Sequence, residues 1–312
     1  MSYKSWNKIQ LYKHLKAAEK IGDKIDIGII KQLIDDTITP FDSDCYASDL
    51  EFKKNFLKEY AYYLPFIEDF SKTQLVEEKI VSPIYIPLNS QLDFLYDFFS
   101  NTAPGWMKLF DEIYKERKKN LKVSDSGNYS VYLSSIDYSY ISINKNMMIE
   151  DLFNLVHEYT HSVVDRINYR FSYNSHYPFI ELPPMCMEII SALYMTDYYL
   201  DIGSDVQEYL KEIFNIVIGY ARNIVAIKNN LNDTDNEEKT LLHDTTYVIP
   251  FIHIFELLYL YLEDKEKWFY TLNKIINMPF SDNYLDEMKK LGLTPNKDLN
   301  RYINDLNNHL TI

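Results

Sequence analysis

Glycine occurs only seven times and proline eleven times in 312 residues, and this scarcity constrains the fold more than any other feature of the chain. All-β sandwiches need a turn about every 8–12 residues, and tight turns draw heavily on Gly and Pro. A chain this poor in both is expected to run as long helices joined by short connections. The apolar positions agree. Residues 5–38 and 47–79 carry them at helical spacing, as in the series Leu50, Phe52, Phe56, Leu57, Tyr60 and Leu64, with an acidic turn at Pro40-Phe41-Asp42 between the two stretches. A further helical stretch is expected from about Gln91 to Asn120, interrupted near Pro104-Gly105.

Three short segments break this pattern. The run IVSPIYIP at 80–87 reads as extended, because proline and β-branched residues disfavour helix there. YSVYLS at 129–134 and YSYISI at 138–143 read as two strands of a hairpin or sheet edge, separated by Ser135-Ile136-Asp137. Helical spacing returns after Met148 with Ile149, Leu152, Phe153, Val156, Val163 and Val164, and Glu150 and Asp151 sit where a first turn favours acids. A stretch rich in Tyr, Ser and Asn (168–178) follows. Pro183-Pro184 then marks a helix start, and helices are expected to the C-terminus with polar breaks near 232–238 and 292–297. The expected fold is mainly α, with a small β-sheet beside the helix that starts near Ile149. An N-terminal helical lobe (1–125) would precede a second region (126–312), either as two units around a cleft or as one continuous domain.

The formal net charge of −14, from 46 acidic and 32 basic residues, makes the average surface repel phosphate backbones and anionic membranes, so neither nucleic acid nor membrane is an expected partner. The two cysteines, Cys45 and Cys186, do not make a disulfide scaffold and fit a reducing compartment. The opening MSYKSWNKIQLYKHLKAAEK lacks the apolar stretch of a signal peptide, and no later window reads as a membrane span, so a cytoplasmic location is expected. No sequence feature specifies an oligomeric state.

Within the helix that starts near Ile149, residues 157–161 read His-Glu-Tyr-Thr-His. Histidines four apart leave one helix face about one turn apart and can hold a single zinc ion. Glu158, beside them, is placed to take a proton from an attacking water and later deliver it to a leaving amine. A catalytic zinc site commonly has three protein ligands, so a third His, Asp or Glu is expected downstream. Glu181 is the best candidate, 24 residues after His157 and just before Pro183-Pro184. Glu188, two helical turns further on the same face, then serves to orient a ligating histidine. Asp165, eight and four residues beyond the two histidines, competes for that orienting role or is simply solvated.

The stretch YISINKNMMIEDLFNLVHEYTHSV resembles the strand, turn and active-site helix of the oligoendopeptidase F and thimet oligopeptidase family of zinc metallopeptidases, and FIELPPMCMEII resembles its second motif, Phe-x-Glu-x-Pro-Ser with another Glu seven residues after the first. The resemblance covers about residues 138–192. It implies His157, His161 and Glu181 as ligands of one zinc ion, Glu158 as general base and Glu188 as the residue behind a ligand. This chain departs from the family at Thr160, where members usually carry Gly, and at Pro184, where they carry Ser. The family also uses a downstream histidine and tyrosines to stabilise the oxyanion, and LLHDTTYVIPFIHIFELLYLY (241–261) takes the corresponding place. His243 and Tyr247 are the residues chosen for that role, with His253 and Tyr259 as competitors. Members of the family are typically about twice as long, which implies a version with a shortened N-terminal lobe and a more open cleft.

The expected activity is therefore hydrolysis of peptide bonds in short peptides at a gluzincin-like zinc site. Three rivals remain at this stage. A thermolysin-like peptidase shares the spacing between first and third ligands, a peptidase fold can persist as a peptide-binding module without turnover, and a dedicated processing peptidase would act on one leader or modified peptide.

Overall fold

The computed structural model describes residues 60–75, 84–123, 127–133, 138–168, 179–198, 203–230, 237–278 and 284–295, together with 57, 58 and scattered positions between 12 and 31. Most of the helices expected over 5–38 and 47–79 lie outside the described residues, as does the 168–178 stretch beyond Asn168.

The first helix described in full, α1 (Leu64–Ser71), carries proline in its first turn, where a missing N–H leaves no bond unmade. Helix α2 (Leu88–Thr102) buries Leu92, Leu95, Phe98 and Phe99. It gives way at Pro104–Trp106 to a 3-10 turn, then to α3 (Met107–Lys115) and the single turn α4 (Arg117–Asn120), so the interruption at Pro104-Gly105 falls where proline chemistry puts it.

Three strands follow: β1 (Leu121–Val123), β2 (Tyr129–Leu133) and β3 (Tyr138–Ile143). Their order is β1-β3-β2, with β3 antiparallel to β2 (Val131 opposite Tyr140) and parallel to β1 (Leu121 opposite Ile141). The hairpin pair matches the sequence reading. Strand β1 was not expected, since three residues after a helical run are too few to show a period of two.

The 80–87 segment has a structural task at its C-terminal half. Tyr85 bridges Met148, the Ile86 N–H donates to the Met147 carbonyl (2.7 Å) and the Ile149 N–H to the Ile84 carbonyl (3.1 Å). Met147 adopts φ of 58°, a left-handed conformation rare outside glycine. These bonds hold it there, at the entry to helix α5 (Ile149–Asn168), whose first turn is closed by the Met148 N–H donating to Asp151 Oδ2 at 2.9 Å.

Helix α5 lies between the sheet and α6 (Leu182–Tyr198), with α2 and α3 also against it. Its inward face, Phe153, Val156, Tyr159 and Val163, is fully buried, and Phe110 of α3 packs its ring 5.8 Å from Tyr159. Helix α6 is buried on nearly every side, which explains its apolar sequence. Helices α7 (Gly203–Asn229) and α8 (Glu237–Glu263) pack on it, α9 (Lys265–Ile276), capped by Asp264, whose carboxylate accepts from the Lys267 N–H, packs on α8, and α10 (Tyr284–Lys290) follows. Helix α8 contains an internal proline, Pro250. The main core draws on residues from Leu57 to Leu293, and a smaller one, Ala17, Ala18, Ile30, Val131 and Tyr140, packs on part of the sheet.

The expectation that no window reads as a membrane span needs correction. His243–Glu263 is long and apolar enough to cross a bilayer, yet 72% of its most apolar window is buried inside the protein. Its apolarity is that of a core helix.

Candidate active site

Helix α5 presents His157 and His161 one turn apart, with ring centroids 4.9 Å from each other. Their Nε2 atoms are 3.2 Å apart, and Glu181 Oε2 lies 3.1 Å from the first and 3.2 Å from the second. Glu181 ends the 3-10 turn Phe179–Glu181, which leads directly into α6. The chain thus folds back so that a carboxylate 24 and 20 residues downstream closes a triangle with two imidazoles.

Three lone-pair donors at such separations repel one another unless a cation or protons lie among them. A tetrahedral ion with donors at about 2.0 Å spaces its ligand atoms by roughly 3.3 Å. The observed triangle is within about two tenths of that, and its two-imidazole, one-carboxylate composition is a zinc-type donor set. The residues present therefore fit a single zinc ion.

Behind the triangle, His157 Nδ1–H donates to Glu188 Oε2 at 2.7 Å, which fixes the tautomer that leaves Nε2 with its lone pair toward Glu181 and His161. The other Glu188 oxygen accepts from the Tyr209 hydroxyl of α7, and the Tyr209 ring stacks on Phe153 at 4.6 Å. Tyr209 is a residue that the sequence did not reveal, because nothing in its spacing separates it from the other 27 of the chain's 28 tyrosines. Asp165 does not take the place behind a histidine that Glu188 occupies.

The electrostatics express the same crowding. Burial works against a charged His157, but hydrogen bonding to Glu181 and Glu188 outweighs it and holds the imidazole pKa well above its ordinary value. Burial likewise works against an ionised Glu181, yet His161 and His157 hold its carboxyl well below the usual carboxylate range. Thr160, where the resembled family usually has glycine, is accommodated because its hydroxyl donates to the Val156 carbonyl at 2.8 Å inside the helix.

A pocket opens on this triangle. Glu158, only 6% exposed, lines it beside His157 and His161. Asn128, Tyr129 and Ser130 form the wall at the start of β2, and Ile180 and Tyr247 complete the other side. Asp165 lines the same pocket. Burial first, and then the nearby Glu181 and Glu158 charges, lift its carboxyl to about 7 against the opposing pull of His161.

The four residues considered for the oxyanion role separate clearly in space. Tyr247 lines the pocket, and burial together with the Glu181 and Glu158 charges holds its phenol well above its usual pKa, so it stays a hydrogen-bond donor. His243 is not among the residues lining the pocket. Its ring lies 5.1 Å from Tyr247 and 5.2 Å from Tyr220, and its Nδ1–H donates to Asp244 at 2.9 Å. His253 is fully buried in the core, pushed down to about 3 by burial, with its Nε2 accepting from the Tyr63 hydroxyl at 2.7 Å. Tyr259 is partly buried against the core, away from the pocket lining.

Solved structures share this architecture at low sequence identity. The chain is similar to a provisionally assigned oligoendopeptidase F from Bacillus anthracis strain Ames (TM-score 0.52, 15% identity, covering 96% of this chain and 62% of that one). It is also similar to PZ peptidase A with inhibitor 2 (TM-score 0.56, 12% identity, 85% and 59% covered). A third is a provisionally assigned peptidase from Chlamydophila abortus (TM-score 0.56, 14% identity, 96% and 61% covered). The chain therefore has the mainly helical fold of the oligoendopeptidase F-like peptidases and spans about three fifths of the length of these structures. No protein-family model and no curated protein matches the sequence.

Proposed function

We propose that this protein is a zinc-dependent peptidase that cuts internal bonds of short peptides. The observation that carries the reading is the convergence of His157 Nε2, His161 Nε2 and Glu181 Oε2 to 3.1–3.2 Å with Glu158 in the same pocket. A peptidase-type fold, independently recognised in solved structures, surrounds it.

His157, His161 and Glu181 would hold the ion, which when bound supplies a Lewis acid that lowers the pKa of water and polarises a carbonyl oxygen. Glu158 accepts the proton of the attacking water and hands it to the leaving amine. Glu188, braced by Tyr209, keeps the His157 ring in the one tautomer and orientation that suits a ligand. The Tyr247 hydroxyl donates a hydrogen bond to the oxygen on which negative charge develops. The peptide itself would lie along β2, which ends the sheet order and pairs only with β3 among the described residues, so its outer edge can take an extended segment beside Tyr129 and Ser130.

The test is metal analysis combined with a quenched-fluorescence peptide library on wild type and Glu158→Gln. Wild type should carry one zinc per chain and cleave members of the library, and the variant should keep the metal while kcat falls by about 10²–10⁴. A variant that cleaves as fast as wild type would sink the mechanism. Stoichiometric zinc with no cleavage of any peptide would instead leave a peptide-binding module or a processing peptidase of narrow substrate range.

A further inference from the structure

Substrate and metal ligands sit on different elements in the peptidase reading. The peptide lies along β2, whereas His157, Glu158 and His161 stand on α5. Reaction geometry tolerates little error, and a misplacement of about 1 Å can cost about 10²-fold in rate. A strand that slips by one residue moves by about 3.3 Å. Whatever fixes the height of β2 over α5 therefore decides where a peptide carbonyl falls.

Two side-chain ties join these elements. The Ser130 and Ser162 hydroxyls are 2.7 Å apart, across 32 residues of sequence. Two residues further along β2, on the same face of the strand, the Tyr132 ring meets the Arg166 guanidinium at 6.0 Å, and Arg166 stands one turn beyond Ser162 on α5. Two strand residues rise about 6.6 Å and four helical residues about 6 Å, so both ties are made in one register and a slip breaks both. Arg166 is anchored in turn by Glu112 of α3 at 3.4 Å.

The ties differ in kind. A cation near a ring tolerates displacement, whereas a hydroxyl pair at 2.7 Å weakens steeply with distance and angle. Ser162 is fully buried and immediately follows His161; Ser130 lines the pocket, and Ser162 is not among the described residues that do. A buried hydroxyl is costly without a hydrogen bond, and β2 gives Ser162 one. The pair thus links the residue beside a metal ligand to the wall along which the peptide runs.

We propose that Ser162 is a positioning residue: through the Ser130 hydroxyl it sets the height of the substrate-binding edge over His161, and so the place of the peptide carbonyl relative to Glu158. The inference rests on the peptidase reading for the occupant of β2 and on the tie for its effect.

The experiment is a double-mutant cycle. Wild type, Ser130→Ala, Ser162→Ala and the double variant are assayed for kcat and KM on a cleaved quenched peptide, with zinc affinity read by competition with a chelator. Ser162→Ala should lower kcat by about 10-fold, the effect of a misplacement well below 1 Å, while KM stays within about 3-fold and zinc affinity is unchanged. The double variant should lose no more than the larger single loss, because both substitutions delete the same bond. Ser130→Thr keeps a hydroxyl on a strand that suits β-branched residues and should stay within about 3-fold of wild type.

Three outcomes overturn the proposal. Full activity in Ser162→Ala shows that the tie sets nothing. Losses that multiply in the double variant show that the two hydroxyls act separately. A fall in zinc affinity that matches the fall in kcat assigns Ser162 to His161 instead. If Ser162→Ala does not fold, Ser130→Ala against Ser130→Thr decides, since a lost tie lowers kcat and a lost substrate contact raises KM. If wild type cleaves no peptide, the peptidase reading fails by itself, and a peptide carrying a photoreactive residue tests the tie without turnover. Wild type should then be labelled at one residue of α5 and Ser162→Ala at several; the same labelling in both, or none in either, removes the positioning role.

Discussion

On the α5–α6 wall of the pocket the ligand-bearing side chains are tied to neighbours. His157 is bonded to Glu188, Glu188 to Tyr209, and Tyr209 is stacked on Phe153. On the α8 wall, Tyr247 is placed by ring contacts with Tyr220 and His243, 5.8 and 5.1 Å away, and by the packing of a helix buried along most of its length. The first wall is rigid because hydrogen bonds with directional geometry fix it. The second is positioned by the way helices lie against one another, with no directional bond to a ligand. A metal site needs the first kind of construction, since its ligand atoms must agree to a few tenths of an ångström. An oxyanion donor needs only to arrive when charge develops.

The contrast is open to attack at three points. The largest effect is expected from Tyr247→Phe, which removes the one α8 donor among the described residues that line the pocket and should lower kcat by about 10²–10³ with zinc retained. A kcat within a few-fold of wild type in steady-state assays would show that the α8 wall takes no part. Next, Tyr209→Phe should leave Glu188 without its brace and weaken zinc binding by about 10- to 100-fold, read by competition with a chelator. If zinc affinity is unchanged, the rigidity of the α5–α6 wall is not what holds the ligands. The smallest effect belongs to Tyr63→Phe, which leaves the buried His253 Nε2 without its donor. It should reduce stability in urea by about 1–3 kcal/mol while peptide turnover and zinc affinity stay as in wild type. A loss of turnover there would bring His253 back into the catalytic argument.

The same contrast explains what could be read from the sequence. The positions of His157, Glu158 and His161 follow from helical periodicity alone, and Glu188 from the two turns that separate it from Glu181, so local rules suffice for that wall. The hairpin of β2 and β3 was legible from alternation in YSVYLS and YSYISI. Helix α8 was harder. Apolar on nearly every side, it shows no stripe by which His243, Tyr247, His253 and Tyr259 could be sorted into pocket and core, and the same property gives residues 243–263 the length and apolarity of a bilayer span, which the sequence reading did not register. Only the packed structure shows that Tyr247 reaches the pocket while His253 pairs with Tyr63. Tyr209 and β1 escaped for a related reason, because each depends on a partner far along the chain, Glu188 in one case and β3 in the other.

Pro250 sits three residues after Tyr247 and three before His253. Having no N–H, it cannot supply the rung that would otherwise run back to the Thr246 carbonyl, so the ladder of α8 is thinned between the residue at the pocket and the residue sealed in the core. The backbone of α8 is therefore joined least firmly between the segment that carries Tyr247 to the pocket and the segment that Tyr63 holds through His253, so the two segments depend on the packing around them, more than on the helix ladder, for their common alignment.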